Sequence, residues 1–153
     1  MSVPPTMPAA ALAFAPIEDA DVDAVIALWQ RCGLTRPWND PAADIALARR
    51  GPNATILIGR DSDTIAATVL VGHDGHRGWV YYVGVDPEHR QKGYGRAAMN
   101  AAEDWLRRAG IEKVQLLVRP GNEMVKAFYE SIGYGEQPRL MFAKWLDGRE
   151  LTP

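Results

Sequence analysis

The apolar positions along the chain predict alternating helices and strands. Val22, Val25, Ile26 and Trp29 recur at helical spacing behind a run of acids, and Gly33 follows as a helix end. Further apolar runs of β or helical period are separated by turn residues. The strands predicted in this way are 11–16, 54–60, 64–72, 79–85, 113–118 and 139–145, and the further helices are 42–50, 95–109 and 122–132.

This order of elements predicts a mixed α/β fold. Antiparallel strands come first, and a strand–helix–strand crossover follows. A chain of 153 residues is expected to form a single domain. We place that domain at residues 11–146, between a Pro-rich, disordered tail at 1–10 and a C-terminal tail at 147–153.

Composition narrows the class of protein. The net charge of −2 gives no electrostatic footprint for a nucleic acid or an anionic membrane, so neither is expected as a partner. A single cysteine, Cys32, cannot form an internal disulfide. The first basic residue is Arg31, so the apolar start is not expected to be a secretory signal. These features predict a cytoplasmic location.

A glycine-rich turn carries the most chemical information. A strand ends at Val85, a polar loop follows, and Gly93 and Gly95 open a helix. Glycine there allows a positive φ and a close approach of a ligand to the backbone. The N–H groups of a helix start favour a phosphate, and the turn also carries the cationic side chains of Arg90, Lys92 and Arg96. The pattern indicates a ligand that bears a diphosphate.

Spacing weighs against two other nucleotide motifs. Residues 93–98 match a dinucleotide-binding G-x-G-x-x-A, but a polar loop at 86–92 separates them from the strand, and the next strand ends in Arg119 instead of an acid. Lys92 precedes the glycines, whereas a P-loop lysine follows them. A glycine-rich turn that binds no ligand stays open on this motif alone.

Two signatures give the chain a resemblance to a known family. Residues 90–95 (RQKGYG) resemble the R/Q-x-x-G-x-G/A motif of the GCN5-related N-acetyltransferases, the GNAT superfamily. Asn122, followed by 127–130 (AFYE) and 132–134 (IGY), is similar to the second signature of that family. The resemblance spans about residues 11–146. The segment 36–41 (RPWNDP) further resembles a bacterial subgroup for which no substrate is agreed.

The resemblance implies a fold, a cosubstrate and a set of site residues. The fold would be a mostly antiparallel mixed sheet with flanking helices, splayed between the strands at 79–85 and 113–118. The cosubstrate would be acetyl-CoA, and no metal is expected. Tyr129 would donate a hydrogen bond to the leaving sulfur as the catalytic acid. The implied acetyl-CoA-binding residues are Val83, Val85, Arg90, Gln91, Lys92, Gly93, Tyr94, Gly95, Arg96 and Asn122.

The implied reaction is direct transfer of an acetyl group to an amine of a small molecule, peptide or protein. The alternative is a CoA-binding module without catalysis. Candidate acceptor-site residues are Trp38, Asn39, Asp40 and Tyr82. Trp38 and Asp40 also fit a simple turn in which Asp40 caps the next helix. For the general base the sequence offers Asp40, Glu88 or a water relayed by the backbone or by Tyr82. Many relatives dimerise, so the resemblance allows a homodimer.

Overall fold

The computed structural model describes residues 12–153. The chain divides into two compact units, Met1–Leu117 and Val118–Pro153. The tail predicted at residues 1–10 and the first residue of the first predicted strand lie outside the described residues.

The described part of the first unit, residues 12–117, holds a five-stranded sheet and three α-helices. Its strands follow one another in the order β1-β2-β3-β4-β5, with antiparallel pairs up to β4 and a parallel pair between β4 and β5. The predicted mixed, mostly antiparallel sheet is confirmed. The strands are β1 (Phe14–Pro16), β2 (Ala54–Asp61), β3 (Thr64–His73), β4 (Gly78–Val85) and β5 (Val114–Gln115), and the helices are α1 (Val22–Arg31), α2 (Pro41–Ala48) and α3 (Tyr94–Arg108).

The two central strands are buried on both faces. Residues 56–59 of β2 and 65–69 of β3 are buried without interruption, which occurs when both faces of a sheet are covered. Ile56 and Ile58 share one core cluster with Leu28 and Trp29 of α1 and Ile45 of α2. The helix α3 packs against β3 and β4. The apolar period seen in the sequence therefore marks the buried positions that hold the sheet in place.

The sheet opens between β4 and β5. Only Gly78 and Trp79 of β4 pair with β5, opposite Val114 and Gln115, and β4 then continues to Val85 without that neighbour. The splay expected between these strands is confirmed. The strand predicted at 113–118 is shorter than expected, because a ladder exists only where a neighbouring strand accepts and donates its hydrogen bonds.

The second unit contains one helix, α4 (Glu123–Ser131), where the sequence predicts one. The strand predicted at 139–145 is wrong. The segment holds the apolar run Leu140–Ala143, but within residues 12–153 no strand pairs with it, and an unpaired strand leaves its backbone groups unsatisfied. Leu140, Met141 and Phe142 lie exposed in this segment.

Residues 12–153 contain neither a membrane-spanning helix nor a cluster of metal ligands. None of the helices there is both long enough and apolar enough to span a membrane. No group of three His, Cys, Asp or Glu side chains in the same range could hold a metal ion.

Candidate active site

A bulge interrupts β4 in the segment that has no β5 neighbour. Thr68 of β3 pairs with Gly84, but Leu70 pairs with Tyr81, so β4 carries an extra residue between these points. Tyr82 adopts a φ of +51°, in the left-handed region that residues with a side chain rarely occupy. Bulges redirect a strand and its side chains and are frequent beside active sites. The bulge sets the direction of the Tyr82 side chain and of the following main chain.

A buried hydroxyl holds the bulge to the core. The Trp29 Nε1–H donates to Thr68 Oγ1 at 2.9 Å, and that hydroxyl donates to the Tyr82 carbonyl at 3.0 Å. The rings of Trp29 and Tyr82 stack, with centroids 3.8 Å apart and planes 7° from parallel. Because Thr68 and Trp29 are fully buried, these contacts stabilise a backbone conformation that would otherwise be strained.

The phenol of Tyr82 meets a carboxylate on α2. Tyr82 Oη donates to Asp44 Oδ2 at 2.7 Å. Burial, and then the hydrogen bond to Asp44, raise the pKa of Tyr82 above its usual range, while the Asn39 side chain acts in the opposite direction. Tyr82 is thus a hydrogen-bond donor and not a proton acceptor at neutral pH. Of the candidate acceptor-site residues, the structure brings Tyr82 and Asn39 together.

Sequence reasoning missed Asp44. The available signal was its place on α2, directly before the buried Ile45 and one turn before the buried Ala48. An acid beside a buried stripe needs a partner, and here the partner is Tyr82. Asp40 instead caps α2, since its Oδ1 accepts a hydrogen bond from the Ala43 N–H at 3.1 Å.

The glycine-rich turn opens α3 with left-handed backbone. Gly93 has a φ of +79° and Gln91 a φ of +66°. A Cβ built on Gly93 would have no atom within 4 Å, so this backbone is open to approach. The first helical hydrogen bond runs from the Ala97 N–H to the Gly93 carbonyl at 3.0 Å. The N–H groups just before Ala97 therefore have no acceptor within the helix, as in helix starts that bind phosphate.

Asp61, at the end of β2, anchors this turn. The Tyr94 hydroxyl donates to Asp61 Oδ2 at 2.7 Å, and His89 Nδ1 and Lys92 Nζ lie 3.3 Å and 3.5 Å from the same oxygen. The hydrogen bond from Tyr94, more than the nearby cation of Lys92, holds the pKa of Asp61 below its usual range. The hairpin of β2 and β3 thereby fixes the start of α3.

A second acid, Asp86, holds the other end of the loop. It is buried, accepts a hydrogen bond from the Glu88 N–H at 3.0 Å and pairs with Arg31 at 2.9 Å. Burial acts to raise its pKa, but the Glu88 and Arg31 contacts outweigh burial, and the pKa of Asp86 lies below its usual range. Glu88 itself is exposed on the short 3-10 turn Pro87–His89.

The surroundings of the single cysteine, Cys32, keep its thiol protonated. Cys32 donates its S–H to the Val85 carbonyl at 3.2 Å. Burial raises the pKa of the Cys32 thiol, more than the nearby Arg90 and Arg31 lower it. A thiol held in the protonated form is a poor nucleophile.

In the second unit, Tyr129 lies in a small aromatic group. Its ring meets those of Phe128 and Tyr134 edge-on, with centroids 5.0 Å and 5.7 Å away. Burial raises the pKa of Tyr129 to about 12. Asn122 caps α4, because its Oδ1 accepts a hydrogen bond from the Val125 N–H at 3.3 Å.

Known proteins match this chain both in sequence and in fold. Residues 18–134 match the family model described as the acetyltransferase (GNAT) family. The fold is similar to that of the ribosomal-protein-S18-alanine N-acetyltransferase from Escherichia coli, at 25% identity and a TM-score of 0.70 over 90% of this chain and 86% of that one.

Two further solved structures share the fold at lower identity. One is the aminoglycoside N-acetyltransferase AAC(6')-Iy in complex with CoA, at 14% identity and a TM-score of 0.75 over 88% of this chain and 95% of that one. The other is the aminoglycoside antibiotic 6'-N-acetyltransferase AAC(6')-IG from Acinetobacter haemolyticus, at 17% identity and a TM-score of 0.73 over 89% of this chain and 100% of that one.

Proposed function

The chain belongs to the GNAT family of acetyltransferases and transfers an acetyl group from acetyl-CoA to an amine, and on this premise we propose which of its residues bind and which act. One observation carries the proposal. The bulged part of β4, which lacks a β5 neighbour, leads directly into a loop whose left-handed backbone opens α3. An open strand edge and a free helix start stand next to each other in the chain.

The residues present fit acetyl-CoA. Open backbone at Gly93 and the N–H groups from Gln91 to Arg96 suit a pyrophosphate, and Arg90 and Lys92 add positive charge. The pantetheine arm carries amides that can pair with an unpaired strand, so the Val83 carbonyl and the Val85 N–H are assigned to it. When bound, acetyl-CoA supplies the thioester whose acetyl group is transferred.

A strand N–H beside the bulge is assigned to the acetyl carbonyl. A fixed backbone donor stabilises the negative charge that develops on that oxygen as nitrogen attacks. The bulge, held by Thr68 and Trp29, keeps this donor in place without reorganisation. The N–H donor is thus already in position in the folded chain before acetyl-CoA binds.

Tyr129 is proposed as the acid. A raised pKa keeps its hydroxyl protonated at neutral pH, as a hydrogen-bond donor to a developing thiolate must be. Full proton transfer from Tyr129 to the CoA thiolate would be uphill, since the pKa of Tyr129 is about 12 and that of a thiol is ordinarily about 8.5. Tyr129 therefore acts by a hydrogen bond that strengthens as the sulfur becomes anionic. Asn122 is proposed to support the pantetheine through the part of its amide that does not cap α4.

We also propose that the protein is cytoplasmic and forms a homodimer. A single thiol with a raised pKa suits the reducing cytoplasm. Exposed apolar side chains at Leu140, Met141 and Phe142 are of the kind that protein interfaces cover, and they support a homodimer. Light scattering on the purified chain should give twice the monomer mass, and a monomer at all concentrations would contradict the dimer.

Thermal-shift titration with acetyl-CoA, CoA and NAD tests the cosubstrate site. Acetyl-CoA and CoA should raise the unfolding temperature, and NAD should not. Lys92→Gln and Arg90→Gln should each weaken acetyl-CoA binding by about 5-fold to 10-fold, because each removes a cation near the phosphates. Arg108→Gln, at the far end of α3, is the matched control and should bind as wild type does. Equal losses in all three variants would contradict the assignment.

A further inference from the structure

Asp44 and Tyr82 form a fixed pair beside the bulge. The phenol donates to Asp44 Oδ2 at 2.7 Å, and stacking on the buried Trp29 prevents the Tyr82 ring from turning away. Both members of the pair are half-buried. The carboxylate of Asp44 is therefore held in one place by a side chain that belongs to β4.

The charge of Asp44 has no cationic partner among residues 12–153. Its hydrogen-bond partner is a phenol, which the raised pKa of Tyr82 keeps neutral. Several acids of the same unit do pair with an arginine: Asp19 with Arg49, Asp21 with Arg60, Asp86 with Arg31, and both Glu103 and Asp104 with Arg107. A half-buried carboxylate paired only with a neutral group favours the arrival of a cation, since burial increases the strength of the attraction.

The pair also lies at the right place in the chain. Tyr82 directly precedes Val83, the first main-chain position assigned to acetyl-CoA. A single tyrosine side chain, that of Tyr82, therefore separates Asp44 from the strand segment at which acetyl transfer is proposed to take place. Asn39, from the loop that precedes α2, also acts on the Tyr82 phenol, so that the loop, the helix and the strand meet at this point.

We propose that Asp44 selects the acceptor, binding the ammonium group of a cationic alkylamine, and that Tyr82 positions its carboxylate. The inference rests on the proposed function of the neighbouring strand. Asp44 forms no covalent bond. It binds the ammonium form, one proton leaves to water, and the free nitrogen attacks the thioester carbon. The carbon–sulfur bond then breaks, the CoA sulfur leaves as a thiolate, and the nitrogen loses its second proton to water to give the amide.

The test compares acceptors that differ in charge. Thiol release at pH 8 would be measured with 1,5-diaminopentane and kanamycin, which are cationic, and with hydroxylamine, which is neutral, after subtraction of the rate without enzyme. Asp44→Asn should lower kcat/KM for the two cations by about 100-fold, the effect of removing one partner of a desolvated charge pair. Its kcat/KM for hydroxylamine and its KM for acetyl-CoA should stay within about threefold of the wild-type values.

Two companion variants make the result specific. Tyr82→Phe retains the ring and the stack but loses the hydroxyl, so it should raise KM for the cations by about 10-fold and leave hydroxylamine unaffected. Asp63→Asn, in the exposed turn between β2 and β3, removes an equal charge away from the pair and should behave as wild type. If Asp44→Asn does not fold, the Tyr82→Phe result decides.

Several outcomes would overturn the inference. Wild-type kcat/KM of Asp44→Asn toward the cations is one, and an equal loss toward hydroxylamine is another. A wild-type enzyme that acetyl-CoA stabilises but that acetylates neither cation would also contradict it, and the cosubstrate site would stand. If acetyl-CoA gives no thermal stabilisation, the proposed cosubstrate site is what fails.

Discussion

Among single residues, Thr68 connects α1 to the bulge of β4 through one hydroxyl group. Its hydroxyl accepts a hydrogen bond from Trp29 and donates one to the Tyr82 carbonyl, and all three residues lie in or beside the core. Thr68→Val preserves the shape and removes the hydroxyl, so a buried indole N–H loses its acceptor. We expect a loss of about 2 kcal/mol in the free energy of unfolding, measured by urea denaturation.

The serine variant separates the hydroxyl from the methyl group. Thr68→Ser keeps both hydrogen bonds and should cost about 1 kcal/mol, for one buried methyl. Thr68→Val should in addition lower kcat, because the bulge is less well held, whereas Thr68→Ser should not. If the valine variant is as stable and active as the serine variant, the hydroxyl does not hold the bulge.

Tyr129→Phe tests the proposed acid. The variant should lower kcat by about 10²-fold to 10⁴-fold, the usual range for one positioned acid. The KM for acetyl-CoA should change little, because the interaction strengthens only as the sulfur becomes anionic. Thiol-release kinetics with the purified variant measure both constants. Wild-type turnover would exclude Tyr129 from this role.

The same residue predicts a dependence of stability on pH. The folded pKa of Tyr129 is about 12, above the ordinary value near 10. The contribution of the buried phenol is therefore fully present below about pH 10 and is lost as the pH rises toward 12. Between pH 9 and pH 11, the urea midpoint of unfolding should fall further for wild type than for Tyr129→Phe. Equal falls would show that the phenol is not desolvated in the folded chain.

At the scale of elements, the two ends of α3 provide a matched comparison. Gly93, before the helix, and Gly110, after it, have φ values of +79° and +80°, and a Cβ on either would have no atom within 4 Å. Alanine at either position should cost a similar 1–2 kcal/mol of backbone strain. Only Gly93→Ala places a methyl group where the pyrophosphate is proposed to approach.

Acetyl-CoA affinity should therefore distinguish the two variants. Calorimetric titration should show Gly93→Ala binding acetyl-CoA at least about 10-fold more weakly than Gly110→Ala, for the loss of close backbone contact. Urea denaturation provides the control that both lose the same stability. Equal affinities would place the pyrophosphate elsewhere.

The elements also show what a sequence can and cannot predict here. The helix α1 is predictable because Val25, Leu28 and Trp29 recur on one buried face, and the left-handed Gly33 and Gly93 mark helix boundaries. The strand predicted at 139–145 does not form, since an apolar run gives strand propensity but cannot supply a partner strand. Asp44 was missed for a related reason. Its role depends on a contact with Tyr82, 38 residues away, which spacing along α2 does not reveal.

At the scale of the whole molecule, the distribution of charge matters more than its sum. The net charge is −2, so the chain as a whole repels an anion weakly. Arg90, Lys92 and Arg96 nevertheless concentrate positive charge at the start of α3, with Asp61 beside Lys92. A polyanion such as acetyl-CoA should therefore be attracted by a local field that opposes the overall charge.

Salt should reveal that local field. At 50 mM salt the Debye length is longer than the 10 Å found at 0.1 M, and at 500 mM it falls well below that value, so the dissociation constant of acetyl-CoA should rise by about 5-fold to 10-fold between the two. The double variant Arg90→Gln, Lys92→Gln should lose most of this dependence, while Arg107→Gln with Arg108→Gln, which removes the same charge at the other end of α3, should retain it. A dissociation constant that does not vary with salt would mean that backbone N–H groups alone hold the phosphates. In that case the cations of the loop serve to bind Asp61 and to shape the turn, and the wild type and both double variants should have the same affinity at every salt concentration.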